Sequence, residues 1–595
     1  MSVQAVPLSE TASRRLRVAL GADVLALAGL AVLGIALAAV AAGTWGDLDS
    51  DTGYDVVAGS LVADGRLPYV DFVYYYGPLA PFLAGLVSAV AGPGVGAIVA
   101  LGLAITAAIV AATYALARTF VGPLGGFLAA ALTMAVAFAP NNYSYVLPHT
   151  IAATLGTLFL LVLLLCLRQL GSRETLQWAV AAGTALGLLA LTKPEPALAG
   201  AAAAAAWLIA RSWSGRSVRR DALALAGIGL AIPAVVYGAF LTSVSPHRLF
   251  LENLYPVDTL SGGGDELIRT RMPLTIGSFV ELGGRALLYA LGVAVLLAVA
   301  RLAERPGRSR TIAAALVVGG GLLAVAAAFA NPEALRHGLQ FVYGWVPLGA
   351  AVAAIVLLVR ARRAPSSQTS LVRVAAAAAL AIVAATAYNG FFLHAPKPQM
   401  AVYYAPLIAV FLVHLHMKTL AKTQAAVAIG ALWLGFLVAA GVGLTINDAR
   451  AESSVVRGDE GSLAETPGQA TLYAGALDWI ERETAPGERI LVLPLLTGLE
   501  ALSGRTPALP EISVLPGVLA RPGGERDAIA YLEKNPVRLV VTDDRTWPAY
   551  GQGAFGDGFG RGLAAWIALN YERVATVSAK TAGPRTLTIW RRAGE

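Results

Sequence analysis

Apolar runs, most of them near the length a helix needs to cross a bilayer, recur from residue 18 to residue 446. The first covers residues 18–42; after a long polar gap come 95–117, 122–139, 150–167 and 176–191. Runs at 196–210, 222–244, 286–300 and 312–330 follow, and the series ends with 341–359, 374–392, 402–415 and 425–446. This pattern predicts about thirteen spans, the shorter ones tilted or partly buried. Past Asp448 the pattern changes. Leu472, Ala476, Trp479 and Ile480 fall at helical spacing. Residues 490–494 and 537–541 are short apolar runs of strand type, with a helix near 526–534 between them and a last strand at 587–590. The fold class expected is mainly α: a polytopic transmembrane helical bundle with a C-terminal extracytoplasmic α/β domain. Its parts are a cytoplasmic tail (1–17), the membrane region (18–446), a polar linker (447–470) and the α/β domain (471–595), which is long enough for its own core.

Charge orients the spans. Arg118, Arg168, Arg173, Arg211, Arg216, Arg219 and Arg220 fall in loops on one side, with Arg301, Arg305, Arg308, Arg310, Arg360, Arg362, Arg363, Lys418 and Lys422. Basic residues in short loops mark the inner face. Most acids fall in the other set of loops, among them Asp47, Asp49, Asp51, Asp55, Asp64, Asp71, Glu195, Glu252 and Glu333. An odd number of spans puts the N-terminus inside and the C-terminal domain outside a plasma membrane. Arg14, Arg15 and Arg17 before the first run are of signal-peptide type. That run exceeds the ~7–15 residues of a cleavable core, so a retained span is expected.

Composition agrees. Of 595 residues, 57% are hydrophobic and 14% charged, whereas soluble domains carry about 25% charged residues. The net charge of +7 belongs to the inner loops and does not call for nucleic acid. The single cysteine, Cys166, permits neither an intrachain disulfide nor a cysteine metal site.

The polar gap at 43–94 is the conspicuous loop, since connections of about fifty residues are usually functional or separately structured. It is rich in acids and tyrosines, and its stretch around Val56, Val57, Ser60, Leu61 and Ala63 reads as an amphipathic surface helix. Asp49 and Asp51 precede that helix. A carboxylate there suits general-base work on an acceptor hydroxyl; helix capping accounts for the same two acids. Lys193, Arg269, Arg271, Arg336, His337, His394 and Lys397 supply cations on the same side, suited to neutralising a phosphate or to snorkelling at helix ends. Scattered histidines show no metal-ligand spacing, and the Gly-rich triplets at 262–264 and 319–321 lack the setting of a phosphate loop.

With these features the chain resembles the GT-C superfamily of polyprenyl-phosphate-sugar-dependent glycosyltransferases, in the branch of protein O-mannosyltransferases, the lipid A aminoarabinose transferase and rhizobial galacturonosyltransferase-like proteins. The matching pattern is an acid after the first span, then Tyr54, Gly65-Arg-Leu-Pro-Tyr69-Val-Asp71-Phe and Tyr76-Gly-Pro78-Leu. Tyr145-Val-Leu-Pro148, Lys193-Pro-Glu195 and Tyr403-Tyr-Ala-Pro406 continue it. The resemblance implies inverting transfer of a sugar from a polyprenyl-phosphate donor to a cell-envelope acceptor. It assigns the base to Asp51, or to Asp49 as its near equivalent. It implies a donor site containing Lys193, Arg336 and Lys397, with Tyr54, Tyr76, His337 and Tyr403 around it. Asp49-Ser-Asp51 replaces the family's paired Asp-Glu, and residues 140–145 lack the acid some relatives carry. No cofactor follows from the sequence; a divalent cation stays open. The rival expectations are a transporter or flippase of lipid-linked sugars, or a noncatalytic envelope scaffold.

Overall fold

The computed structural model describes residues 10–49, 52–142, 144–254, 275–363, 367–386, 398–520, 523–581 and 583–594. Asp51, Arg269, Arg271, His394 and Lys397 lie outside the described residues.

Each of the apolar runs coincides with a helix. These are α1 (Glu10–Val40), α4 (Val95–Ala137), α5 (Ile151–Arg173), α6 (Leu176–Ala190), α7 (Pro194–Trp213) and α8 (Arg219–Phe240), with α2 and α3 described below. The series continues through α9 (Ile276–Glu304), α10 (Arg308–Ala330), α11 (Pro332–Arg363), α12 (Gln368–Thr386), α13 (Ala405–His414) and α14 (Gln424–Ala451). Among the described residues, eight helices are long and apolar enough to cross a membrane by length and composition. Two of the expected runs, 95–117 and 122–139, form α4 as two helices that meet at the non-helical Gly122 (φ 83°, ψ −175°). Pro123 follows, and its missing N–H and its ring both oppose an unbroken ladder. Many outward side chains are apolar, including Leu25, Ile35, Leu230 and Leu323, each at least 70% exposed, as suits contact with hydrocarbon rather than water.

The first loop is folded. It contains a helix where one was expected, α2 (Thr52–Ala63), but buried from Thr52 to Gly59 and at Leu61 rather than lying on the surface as an amphipathic helix. A further apolar helix, α3 (Leu79–Ala91), follows. At 1.5 Å per residue, the thirteen residues of α3 reach only about 20 Å, short of a ~30 Å hydrocarbon core. α3 instead packs on α2 through small residues: a side chain on Gly59 would meet Ala84 at 3.0 Å. At the opposite ends of the helices, Arg118 pairs with Asp23, and Arg211 lies 3.4–3.6 Å from Glu174 and Asp221.

Residues 447–470, expected as a polar linker, carry the end of α14 and then a hairpin of β1 (Ser454–Gly458) and β2 (Gly461–Glu465). The strands are five residues each, and in β1 only Val456 is buried, so the apolar signal was too short to read. The hairpin docks on the first loop: Ala464 donates to the Gly43 carbonyl at 2.7 Å and Val95 to the Glu460 carbonyl at 3.2 Å. Beyond α15 (Pro467–Glu483) come β3 (Arg489–Leu493), α16 (Thr497–Ser503) and β4 (Thr506–Pro507). Then follow α17 (Pro516–Ala520), α18 (Gly524–Lys534), β5 (Leu539–Asp543), α19 (Arg561–Asn570), β6 (Tyr571–Lys580) and β7 (Pro584–Arg592). The sheet has the order β4-β3-β5-β7-β6, parallel from β4 to β5 and antiparallel beyond. Its buried strands Ile490–Leu493 and Leu539–Val541 are the two apolar runs seen in the sequence.

Candidate active site

The motif Tyr74-Tyr-Tyr76-Gly-Pro78 folds back on the turn that ends α6. Gly77 donates to the Thr192 carbonyl at 2.6 Å and Leu79 to the Leu191 carbonyl at 3.2 Å. Glycine is required by this approach, since a Cβ at position 77 would lie 2.1 Å from the Leu191 carbonyl oxygen. The next residue in the turn is Lys193, immediately before α7. Its ammonium lies 4.3 Å from the centre of the Tyr76 ring and 5.1 Å from that of Tyr403. Faces of aromatic rings attract such a cation. Three residues distant in sequence that the resemblance assigned to one site, Lys193, Tyr76 and Tyr403, are thus brought together.

Tyr54 supports this group from below. Its hydroxyl donates to the Val73 carbonyl (2.9 Å) and accepts from the Tyr75 amide (3.2 Å). Its ring stacks on Tyr74 and meets Tyr76 edge-on at 6.3 Å. Tyr69, held at φ 65°, donates its hydroxyl to the Tyr76 carbonyl, which also accepts from Asn253 at 2.8 Å. Burial raises the hydroxyl pKa of Tyr54, Tyr69 and Tyr74 well above the usual phenol value, so all three are neutral.

Asp55, on α2, is buried and was passed over in favour of Asp49 and Asp51. One carboxylate oxygen accepts from Tyr74 at 2.6 Å and the other from the Ile151 amide at 2.5 Å, so it ties α2 to the start of α5. Burial pushes its pKa up to about 6, against the opposing pull of those bonds and of the Lys193 charge. His149, two residues before α5, is 7% exposed, with its ring centre 6.2 Å from that of Tyr403. Burial, aided by the charge of Lys193, lowers its pKa to about 3. Spacing gave no signal for His149 beyond its place just after Tyr145-Val-Leu-Pro148.

Asp49 is held by the C-terminal domain. Arg585 of β7 donates to both its carboxylate oxygens at 2.7 Å, Arg545 approaches to 3.3 Å, and Tyr473 and Gln469 of α15 donate as well. Arg585 is bound in turn by the buried Asp543 at 2.7 Å. With both oxygens so engaged, Asp49 is built as an anchor for the C-terminal domain. Arg336 is paired with Glu333 and Asp448, and His337 bonds through Nδ1 to the Glu333 carbonyl at 2.7 Å. None of these recorded partners belongs to the tyrosine–lysine group, so Arg336 and His337 are not joined to Lys193. Among the described residues no three His, Cys, Asp or Glu side chains are placed to hold a metal ion.

Residues 76–237 match the family model described as dolichyl-phosphate-mannose-protein mannosyltransferase. No curated protein matches at a significant level. An oligosaccharyltransferase from Archaeoglobus fulgidus, solved with Zn and sulfate, is 14% identical with a TM-score of 0.50. That match covers 95% of this chain and 73% of that one. ArnT from Cupriavidus metallidurans, bound to undecaprenyl phosphate, is 15% identical over 95% of this chain and 97% of that chain, with a TM-score of 0.47. The chain thus has a multi-helix membrane architecture whose fold is similar to that of the GT-C glycosyltransferases, and the comparisons pick out no single branch of them.

Proposed function

We propose that the chain is an inverting glycosyltransferase that moves a sugar from a polyprenyl-phosphate donor to a cell-envelope acceptor at the outer face of the plasma membrane. The observation that carries this reading is the fixed cation, Lys193, held between Tyr76 and Tyr403 beside the first loop. A lipid phosphate needs such a donor. The matching family description names a lipid-phosphate sugar. The arginine-rich short loops fall in the other set of loops from the first loop and the C-terminal domain, which supports an outer-side site. Nucleotide sugars stay inside the cell, so a carrier that has already crossed the membrane fits this position.

Asp51 is the base. The family resemblance assigns it that role, and its neighbours Asp49 and Asp55 are both engaged in internal bonds. Asp51 takes the proton of the acceptor hydroxyl, whose oxygen bonds to the anomeric carbon. The bond from that carbon to the phosphate oxygen breaks, and the polyprenyl phosphate leaves with its electron pair beside Lys193. Lys397 is a further candidate for that phosphate, while Arg336 is held by Asp448.

Asp51→Asn is expected to lower kcat by about 10²–10⁴-fold, the range for loss of a general base. Lys193→Ala is expected to raise the donor KM at least tenfold, with Lys193→Arg partly restoring it. Transfer of radiolabelled sugar by the purified chain, with and without EDTA, measures both effects and reads any need for a divalent cation. Full activity in Asp51→Asn would sink the mechanism.

A further inference from the structure

His149 is enclosed at the site, yet among the described residues neither of its ring nitrogens has a hydrogen-bond partner. Buried polar groups are nearly always paired, and leaving one unpaired costs about 1–3 kcal/mol. It stands beside Tyr403, the ring that also faces Lys193. Such a group has a partner waiting in a ligand.

The chemistry of the ring narrows that ligand. Burial, with the ammonium of Lys193 nearby, opposes a positive charge on the ring, so the imidazole is neutral, with one N–H donor and one acceptor nitrogen. A phosphate offers acceptors only and leaves the second nitrogen orphaned. Hydroxyl groups both donate and accept. We propose that His149 is a specificity-determining residue that reads a hydroxyl of the transferred sugar, while Lys193 holds the phosphate. This rests on the donor class proposed above and divides it between two side chains.

The test uses the purified full-length chain in nanodiscs and four probes: undecaprenyl phosphate alone, and its mannosyl, galactosyl and arabinosyl forms. The wild type binds at least one sugar-bearing form more tightly than undecaprenyl phosphate. His149→Phe keeps the ring and removes both hydrogen-bonding atoms. It is expected to lose about five- to tenfold of affinity for the preferred sugar form, the size of one hydrogen bond, with undecaprenyl phosphate unchanged. His149→Gln, which keeps a donor and an acceptor, is expected to retain part of the increment and serves if the Phe variant misfolds. Three results overturn the proposal: equal weakening of sugar-bearing and bare lipid, a sugar increment that survives both substitutions, or no increment for any sugar in the wild type. Failure of the donor class itself is separate: the wild type would then not bind undecaprenyl phosphate, or Lys193→Ala would bind it as well as wild type.

Discussion

At the scale of single residues, Gly77 does as much to place Lys193 as any charged partner. Its missing side chain lets the first loop lie against the carbonyls of Leu191 and Thr192. Gly77→Ala is expected to cost about 1–3 kcal/mol through forced backbone shifts and to raise the donor KM, because the turn carrying Lys193 moves. Gly96→Ala is the control, since a Cβ there meets nothing within 4 Å; thermal melting and donor titration of the pair check the expectation. Lys193 was visible in the sequence because a cation between an apolar run and Pro194 stands out. His149 was not, because a lone histidine beside a proline carries no spacing, and its significance comes from burial alone. Asp49 and Asp51 looked alike for the same reason. What separates Asp49 is its partners Arg545 and Arg585, which lie 496 and 536 positions further along the chain.

At the scale of elements, hydrophobic periodicity found the helices because membrane spans are long and uniformly apolar. It separated the two helices of α4, because Gly122 and Pro123 interrupt both the apolar pattern and the helical backbone. It passed over α3, whose thirteen residues are apolar but too few to cross. The C-terminal strands were legible where buried on both faces, as in β3 and β5, and illegible in the half-exposed hairpin. The clasp between β7 and the first loop gives a graded prediction. Arg585→Ala removes the nearer cation of the buried Asp543, leaving Arg545 at 3.8 Å, and is expected to cost about 3 kcal/mol. Asp49→Asn leaves Arg585 paired with Asp543 and is expected to cost about 1 kcal/mol. Hydrogen exchange of the first loop and of β6–β7, compared across the two variants, reads the order; equal effects would refute the clasp.

At the scale of the molecule, the seam between the C-terminal domain and the first loop is crowded with carboxyls. Burial pushes the Glu465 pKa up to about 8, reinforced by Asp47 and Asp49. Burial likewise raises Glu452 to about 9, with Glu465, Asp47 and Asp448 adding to it. Both are therefore protonated at neutral pH when the seam is closed. A folded pKa above the free value of 4.5 means that Glu465's contribution is complete below about pH 4.5 and is lost as pH rises through about 8. Protease sensitivity of the C-terminal domain is expected to rise across that window. In Glu465→Gln, which keeps an acceptor for the Leu48 amide, the rise should flatten; an unchanged profile would refute the assignment.

The joining of Asp49 to Arg585 also bears on how the protein is made. Asp49 emerges from the ribosome 536 residues before its partner. Throughout insertion of the helices between them, the acid segment of the first loop is without its clasp. Assembly of this site is thus deferred until the whole bundle is threaded and the sheet beyond it has folded. A nascent chain halted before β7 would carry every span and the tyrosine–lysine group, and still lack the restraint that fixes the loop beside them.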